Sequence, residues 1–160
     1  MKRYLQSFVV AITLLTGSFL SYADSSVETL SPELRTLLSK EMRALQEGMR
    51  TIISAYISGD LEKIVQVAHK MKNSYILKQS ITPDQKHELM TKLPKAFLQR
   101  DQKFHEYAGM LAHVAEEKHL ELVGFYYSKL TESCVSCHSD YAGHQFPDFL
   151  IKPSHESDHH

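Results

Sequence analysis

Leu34, Leu38, Met42, Leu45, Met49, Ile52 and Tyr56 follow one another at steps of four, four, three, four, three and four. Such a spacing collects on one face only if the backbone turns as an α-helix, so it predicts a long amphipathic helix with one buried side. Ser31-Pro32-Glu33 supplies its start: a serine N-cap, proline at the first helical position and an acid in the first turn. Ser58-Gly59 supplies its end, because glycine suits the C-terminal cap. Asp60 is then placed to cap a second helix, whose stripe is Leu61, Ile64, Val65, Ala68, Met71 and Tyr75 and which is expected to run to about Gln79. With so short a link, the two helices are expected to be antiparallel neighbours.

Thr82-Pro83-Asp84 breaks the pattern. Residues 85–93 are expected to form a crossover with a short helical turn before Pro94. A third helix is expected from about 95 to 118, with Phe97, Phe104, Ala108, Leu111 and Ala115 on one face. Gly109 is the weak point within it, explicable by a close helix or cofactor approach. A fourth helix follows, with Leu120, Val123, Tyr126, Tyr127 and Leu130 leading into Cys134. No strand-like alternation and no internal repeat is present. The expected fold class is therefore all-α, an antiparallel four-helix bundle. Residues 24–143 make up its domain, and 144–160 a loosely ordered tail with Pro147, Pro153 and several histidines. His155, His159 and His160 read as a solvated end rather than a metal site.

The first residues have another purpose. Met1-Lys2-Arg3, an apolar run from Phe8 to Leu20, and Ser21-Tyr22-Ala23 read as a secretory signal peptide over residues 1–23, leaving Asp24 first after cleavage. The run is shorter than the roughly 20 residues of a spanning helix, and no later stretch is long or apolar enough. The expectation is a protein exported to the periplasm, not an integral membrane protein. The whole chain carries 18 Lys and Arg against 19 Asp and Glu, and two of the basic residues leave with the signal. Nothing in that balance suggests a nucleic-acid partner.

Cys134-Val135-Ser136-Cys137-His138 carries the chemistry. Two cysteines three apart, followed at once by histidine, are the attachment sequence for a c-type haem: each thiol adds to a vinyl group and the imidazole reaches one axial position of the iron. On a helix, Cys134 and His138 lie one turn apart on the same face, with Cys137 beside them. A thioredoxin-like redox pair normally opens a helix in a strand-helix-strand context, and none precedes Cys134. A structural zinc site needs about four ligands, and the chain has 2 cysteines. His69, His87, His105, His113 and His119 are expected to be surface or partly buried polar residues, His105 and His113 lying nearest the core stripe. Phe97, Phe104, Tyr126 and Tyr127 read as core aromatics, some able to touch a porphyrin.

The whole pattern resembles the cytochrome c′ family and, within it, the low-spin, methionine-ligated relatives. The resemblance rests on the motif near the end of the last helix and on Gly59-Asp60-Leu61. It rests also on Phe104-His105 with Ala108 and Leu111-Ala112, on Tyr127 and Leu130 ahead of Cys134, and on Tyr141. It spans about Leu34 to Tyr141. One departure is Ser139-Asp140-Tyr141-Ala142-Gly143, where family members often carry Arg or Lys shortly after the haem histidine.

The resemblance implies one covalent haem c, with Cys134 and Cys137 as thioethers, His138 as proximal ligand and Met42 as distal ligand. Met49 is a second candidate, and Leu38 would crowd the open face if no side chain ligates. It implies single-electron transfer between periplasmic redox proteins rather than catalysis on a substrate, since His/Met ligation gives an iron suited to that task. Homodimerisation through the first two helices is common in the family, and Ile53 and Ile57 would permit it. Two other readings stand: a five-coordinate, high-spin protein binding small gases such as NO or CO, and a haem-free dithiol or metal-binding bundle.

Overall fold

A computed structural model describes residues 27–150; the expected signal peptide and His155, His159 and His160 lie outside the described residues. Within them every element is helical: α1 Pro32–Ser58, α2 Leu61–Lys72, α3 Leu77–Ser80, α4 Pro83–Lys92, α5 Lys95–Glu116 and α6 Leu120–Tyr141, with 3₁₀ turns at Val27–Thr29 and Pro147–Leu150. None of these helices is long and apolar enough to cross a membrane.

The α1–α2 corner follows its local chemistry. Gly59 takes φ 75, the left-handed conformation that glycine adopts without a Cβ penalty, and its N–H bonds back to the Tyr56 carbonyl. Asp60 then caps α2, its Oδ1 accepting from the Lys63 N–H at 2.9 Å. At the other end of α1, Pro32 stands at the start as expected, but the Ser31 hydroxyl makes no capping bond. The Ser31 N–H donates instead to Glu88 Oε1 at 2.7 Å, tying α1 to α4.

The helices pack together around two apolar clusters. The larger holds Leu45, Ile52 and Ala55 of α1, Ile64, Val67, Ala68 and Met71 of α2, Phe104, Ala108 and Leu111 of α5, and Val123 and Leu130 of α6. Each large aliphatic side chain withdrawn from water here contributes about 1.5–3 kcal/mol. Small residues let α2 and α5 come close. A Cβ on Gly109 would meet the Lys72 stem at 3.3 Å, so that glycine serves a helix contact. The smaller cluster joins Leu30, Leu34 and Leu93, with Leu38, Leu89 and Phe97 against them.

Two helix boundaries differ from expectation. The second helix stops at Lys72 rather than near Gln79, because Asn73-Ser74 turns the chain, with Ser74 at φ 60. Glu41 of α1 stabilises that turn. Its carboxylate is only 2% exposed. One oxygen accepts from the Ser74 hydroxyl and the Tyr75 N–H, both at 2.9 Å, and the other from the Ile76 and Leu77 N–H groups at 2.6 and 3.2 Å. Burial, and then the charge of Glu41, raises the Tyr75 hydroxyl above its ordinary pKa. The crossover is also more helical than expected. Thr82 and Gln85 close a capping box, so Thr82-Pro83 begins α4 rather than merely interrupting a pattern. Among the described residues six helices form where four were expected.

Candidate functional site

The Cys134–His138 motif lies wholly within α6, which continues to Tyr141. An unbroken helix places Cys134 and His138 one turn apart on one side. Cys134 is half-buried and packs on the larger apolar cluster; Cys137 is half-buried too, and both thiols are free. Burial raises the Cys134 thiol above its ordinary pKa, and Cys137 adds to the shift. Burial also raises the Cys137 thiol, against the opposing charge of Arg100. Neither is the low-pKa nucleophile that a dithiol oxidoreductase uses.

The His138 imidazole is half-buried, and burial pushes its pKa below the ordinary histidine value. Near neutral pH it is therefore uncharged, the form that ligates a metal. Phe146 lies flat against it, with ring centroids 4.5 Å apart and planes 13° from parallel. Among the described residues its ring nitrogens have no hydrogen-bond partner.

Arg100 of α5 secures the motif from the side. Its Nη1 donates to Asp140 Oδ2 at 2.6 Å and to the Ser136 carbonyl at 2.9 Å. Its guanidinium also sits 5.5 Å from the centre of the Tyr141 ring, which meets the Phe97 ring edge to face with centroids 5.1 Å apart. The cation beside this segment thus comes from another helix. Nothing in the sequence pattern singles out Arg100; its one trace there is a place one turn beyond Phe97.

The remaining candidates are scattered. On α1 the buried positions are Leu34, Glu41, Leu45, Gly48, Ile52 and Ala55. Met42 is 37% exposed and belongs to neither apolar cluster. Met49 packs at the edge of the larger cluster and Leu38 at the edge of the smaller. His105 and His69 have protein partners: His105 Nδ1 lies 2.7 Å from the Met71 carbonyl and His69 Nε2 3.0 Å from Glu116. His87, His113 and His119 are exposed. Phe104 is buried, Tyr126 and Tyr127 flank the larger cluster, and Phe97 flanks the smaller.

The donors along α6 suit covalent haem attachment better than a bare ion. Among the described residues no three His, Cys, Asp or Glu side chains converge as a metal site, Cys134, Cys137 and His138 included. Two free thiols and an imidazole with no hydrogen-bond partner among the described residues lie along one side of the helix, a donor set that could hold a haem c at three points. A groove of about 210 Å³ between α5 and α6 borders the motif, lined by Arg100, Lys103, Lys129 and Ser136 among others. A hollow of about 410 Å³ near Pro32 and Leu37 is lined by no motif residue. No protein family, curated protein or solved structure shows a significant match to the chain.

Proposed function

We propose that this chain is a periplasmic monohaem c-type cytochrome, built on an antiparallel four-helix bundle, that passes single electrons between redox proteins without transforming a substrate. The observation that carries this is the array on α6: free Cys134 and Cys137 beside the His138 imidazole, whose ring nitrogens have no hydrogen-bond partner among the described residues. When bound, the haem supplies the one-electron couple. The chain's own residues hold and orient it. Cys134 and Cys137 would hold it as thioethers and His138 would ligate its iron, while Arg100 pins the turn that bears Cys137 and His138. Residues 1–23 carry the inference of export.

Side-chain neighbours support the bundle arrangement. Gly48 of α1 faces Met71 and Val67 of α2, and Gly109 of α5 faces Lys72. Arg100 of α5 reaches Ser136 of α6, whereas Tyr107 reaches Tyr126. Tyr56 of α1 reaches Leu120 and Gly124 of α6. Met42 stands fourteen residues before Tyr56, and His138 fourteen residues after Gly124. At about 1.5 Å of rise per residue, in an antiparallel pair each lies roughly 21 Å from that crossing, on the same side. On that arrangement Met42 would be level with His138, and Met49 only about half as far along. That favours Met42 as the second axial ligand.

One observation favours a five-coordinate, gas-binding alternative: Met42 is 37% exposed, and Glu41 takes the inward position beside it. Intact mass and visible spectra of the matured protein test both readings. The expected result is a covalent haem increment and a low-spin spectrum that carbon monoxide does not move, lost in Met42→Ala. A high-spin spectrum shifted by carbon monoxide would replace electron transfer with gas binding. Absence of the mass increment would sink both.

A further inference from the structure

We propose that Phe146 is the positioning residue for His138: the chain beyond α6 turns back so that the Phe146 ring lies flat on the imidazole and sets the plane in which it meets a haem iron. This rests on the haem reading.

A metal-ligating histidine usually has its ring orientation fixed by a hydrogen bond from its second nitrogen to a carboxylate, carbonyl or water. His138 has no such partner among the described residues. Its outer side-chain torsion is of the broad, two-fold kind, so rotamer preference alone leaves the ring plane loose. The stack supplies the missing constraint. Its planes are 13° apart, whereas Phe97–Tyr141 and Phe125–Tyr126 meet edge to face at 71° and 80°.

The backbone is arranged to deliver this ring. After α6 the N–H groups of Gln145 and Phe146 both donate to the Ala142 carbonyl, at 2.9 and 3.1 Å, which reverses the chain within a few residues. The Phe149 N–H then bonds to the Phe146 carbonyl at 3.1 Å, opening the turn Pro147–Leu150. His144 reaches Glu28 at 3.7 Å and joins the returning segment to the turn ahead of α1. Phe146 itself is 39% exposed, so contact with His138 rather than deep burial is what its ring gains here.

The test uses full-length protein matured with covalent haem, with intact mass confirming the loading of each form. Proton NMR of the oxidised state reads the plane of the axial imidazole through the order and spread of the paramagnetically shifted haem-methyl signals. Phe146→Leu keeps the apolar bulk but lacks the flat face, and is expected to reorder those signals and narrow their spread. Phe146→Tyr keeps the face and is expected to restore the wild-type pattern. An unchanged pattern in Phe146→Leu, or equal disturbance in both variants, overturns the inference while leaving the haem reading intact. A wild-type protein that acquires no covalent haem overturns both.

Discussion

The two halves of α6 are held in opposite ways. From Leu120 to Leu130 the helix is locked by apolar burial. Val123 and Leu130 are fully buried, and the Tyr56 hydroxyl donates to the Leu120 carbonyl at 2.9 Å, beside a glycine that leaves it room. From Thr131 to Tyr141 no residue is buried, although this half carries both cysteines, His138 and Tyr141; Val135 is 46% exposed. Besides the packing of Cys134 on the larger cluster, ties to Arg100, Phe97 and Phe146 hold it. Near-surface ion pairs of this kind contribute about 0–1 kcal/mol, less than one buried leucine. The motif half is thus well placed but incompletely covered.

The largest expected effect concerns the most deeply buried polar tie among the described residues. Glu41→Ala removes the acceptor of the Ser74 hydroxyl and three backbone N–H groups. Each donor left unpaired away from water costs about 1–3 kcal/mol, and with three of the four only part-buried the total should be about 3–5 kcal/mol. Denaturant unfolding measures this, and a cost under about 1 kcal/mol would show that burial does not separate strong ties from weak ones here.

The contrast within α6 is sharpened by a pair of truncations in haem-free protein. Leu130→Ala should cost about 2–5 kcal/mol, since it opens a cavity at a fully buried site. Val135→Ala, five positions along, should stay within about 0.5 kcal/mol. Equal costs would erase the distinction. In haem-loaded protein a newly acquired cost at Val135 would identify it as covered by the cofactor.

The smallest effect depends on pH. The Lys92 ammonium, followed by the Ser31 N–H, holds the Glu88 carboxyl below its ordinary value of 4.5. A lowered native pKa means that the unfolded chain binds more protons as the solution is acidified. The stabilisation is therefore present above about pH 4.5 and lost as pH falls through the native value. Denaturant midpoints of wild type and Glu88→Gln should differ at pH 7 and converge toward pH 3; a constant gap would mean that charge plays no part.

Much of the helical pattern is legible in the sequence. Gly59 and Asp60 at the α1–α2 corner reappear in the fold, as do Leu34, Leu45 and Ile52 of the α1 stripe and Phe104, Ala108, Leu111 and Ala115 of the α5 stripe, all of them local properties. The end of α2 is not legible. Tyr75 continues the apolar period, and the interruption depends on Glu41, 34 residues away. Periodicity also puts Met42 on the inward stripe, whereas the inward position belongs to the charged neighbour that bonds the α3 turn. Arg100 escapes the sequence pattern for a similar reason: its partner Ser136 is 36 residues distant on another helix.

The sequence by itself determined the all-helical class and the spacing of Cys134, Cys137 and His138, because the period of a helix and the reach within one turn are set by nearby residues. Only the tertiary structure decided which charge is buried, which arginine guards the motif and which ring lies on His138. Those outcomes depend on how separate helices pack, and contacts between residues distant in the chain leave no periodic trace in either partner.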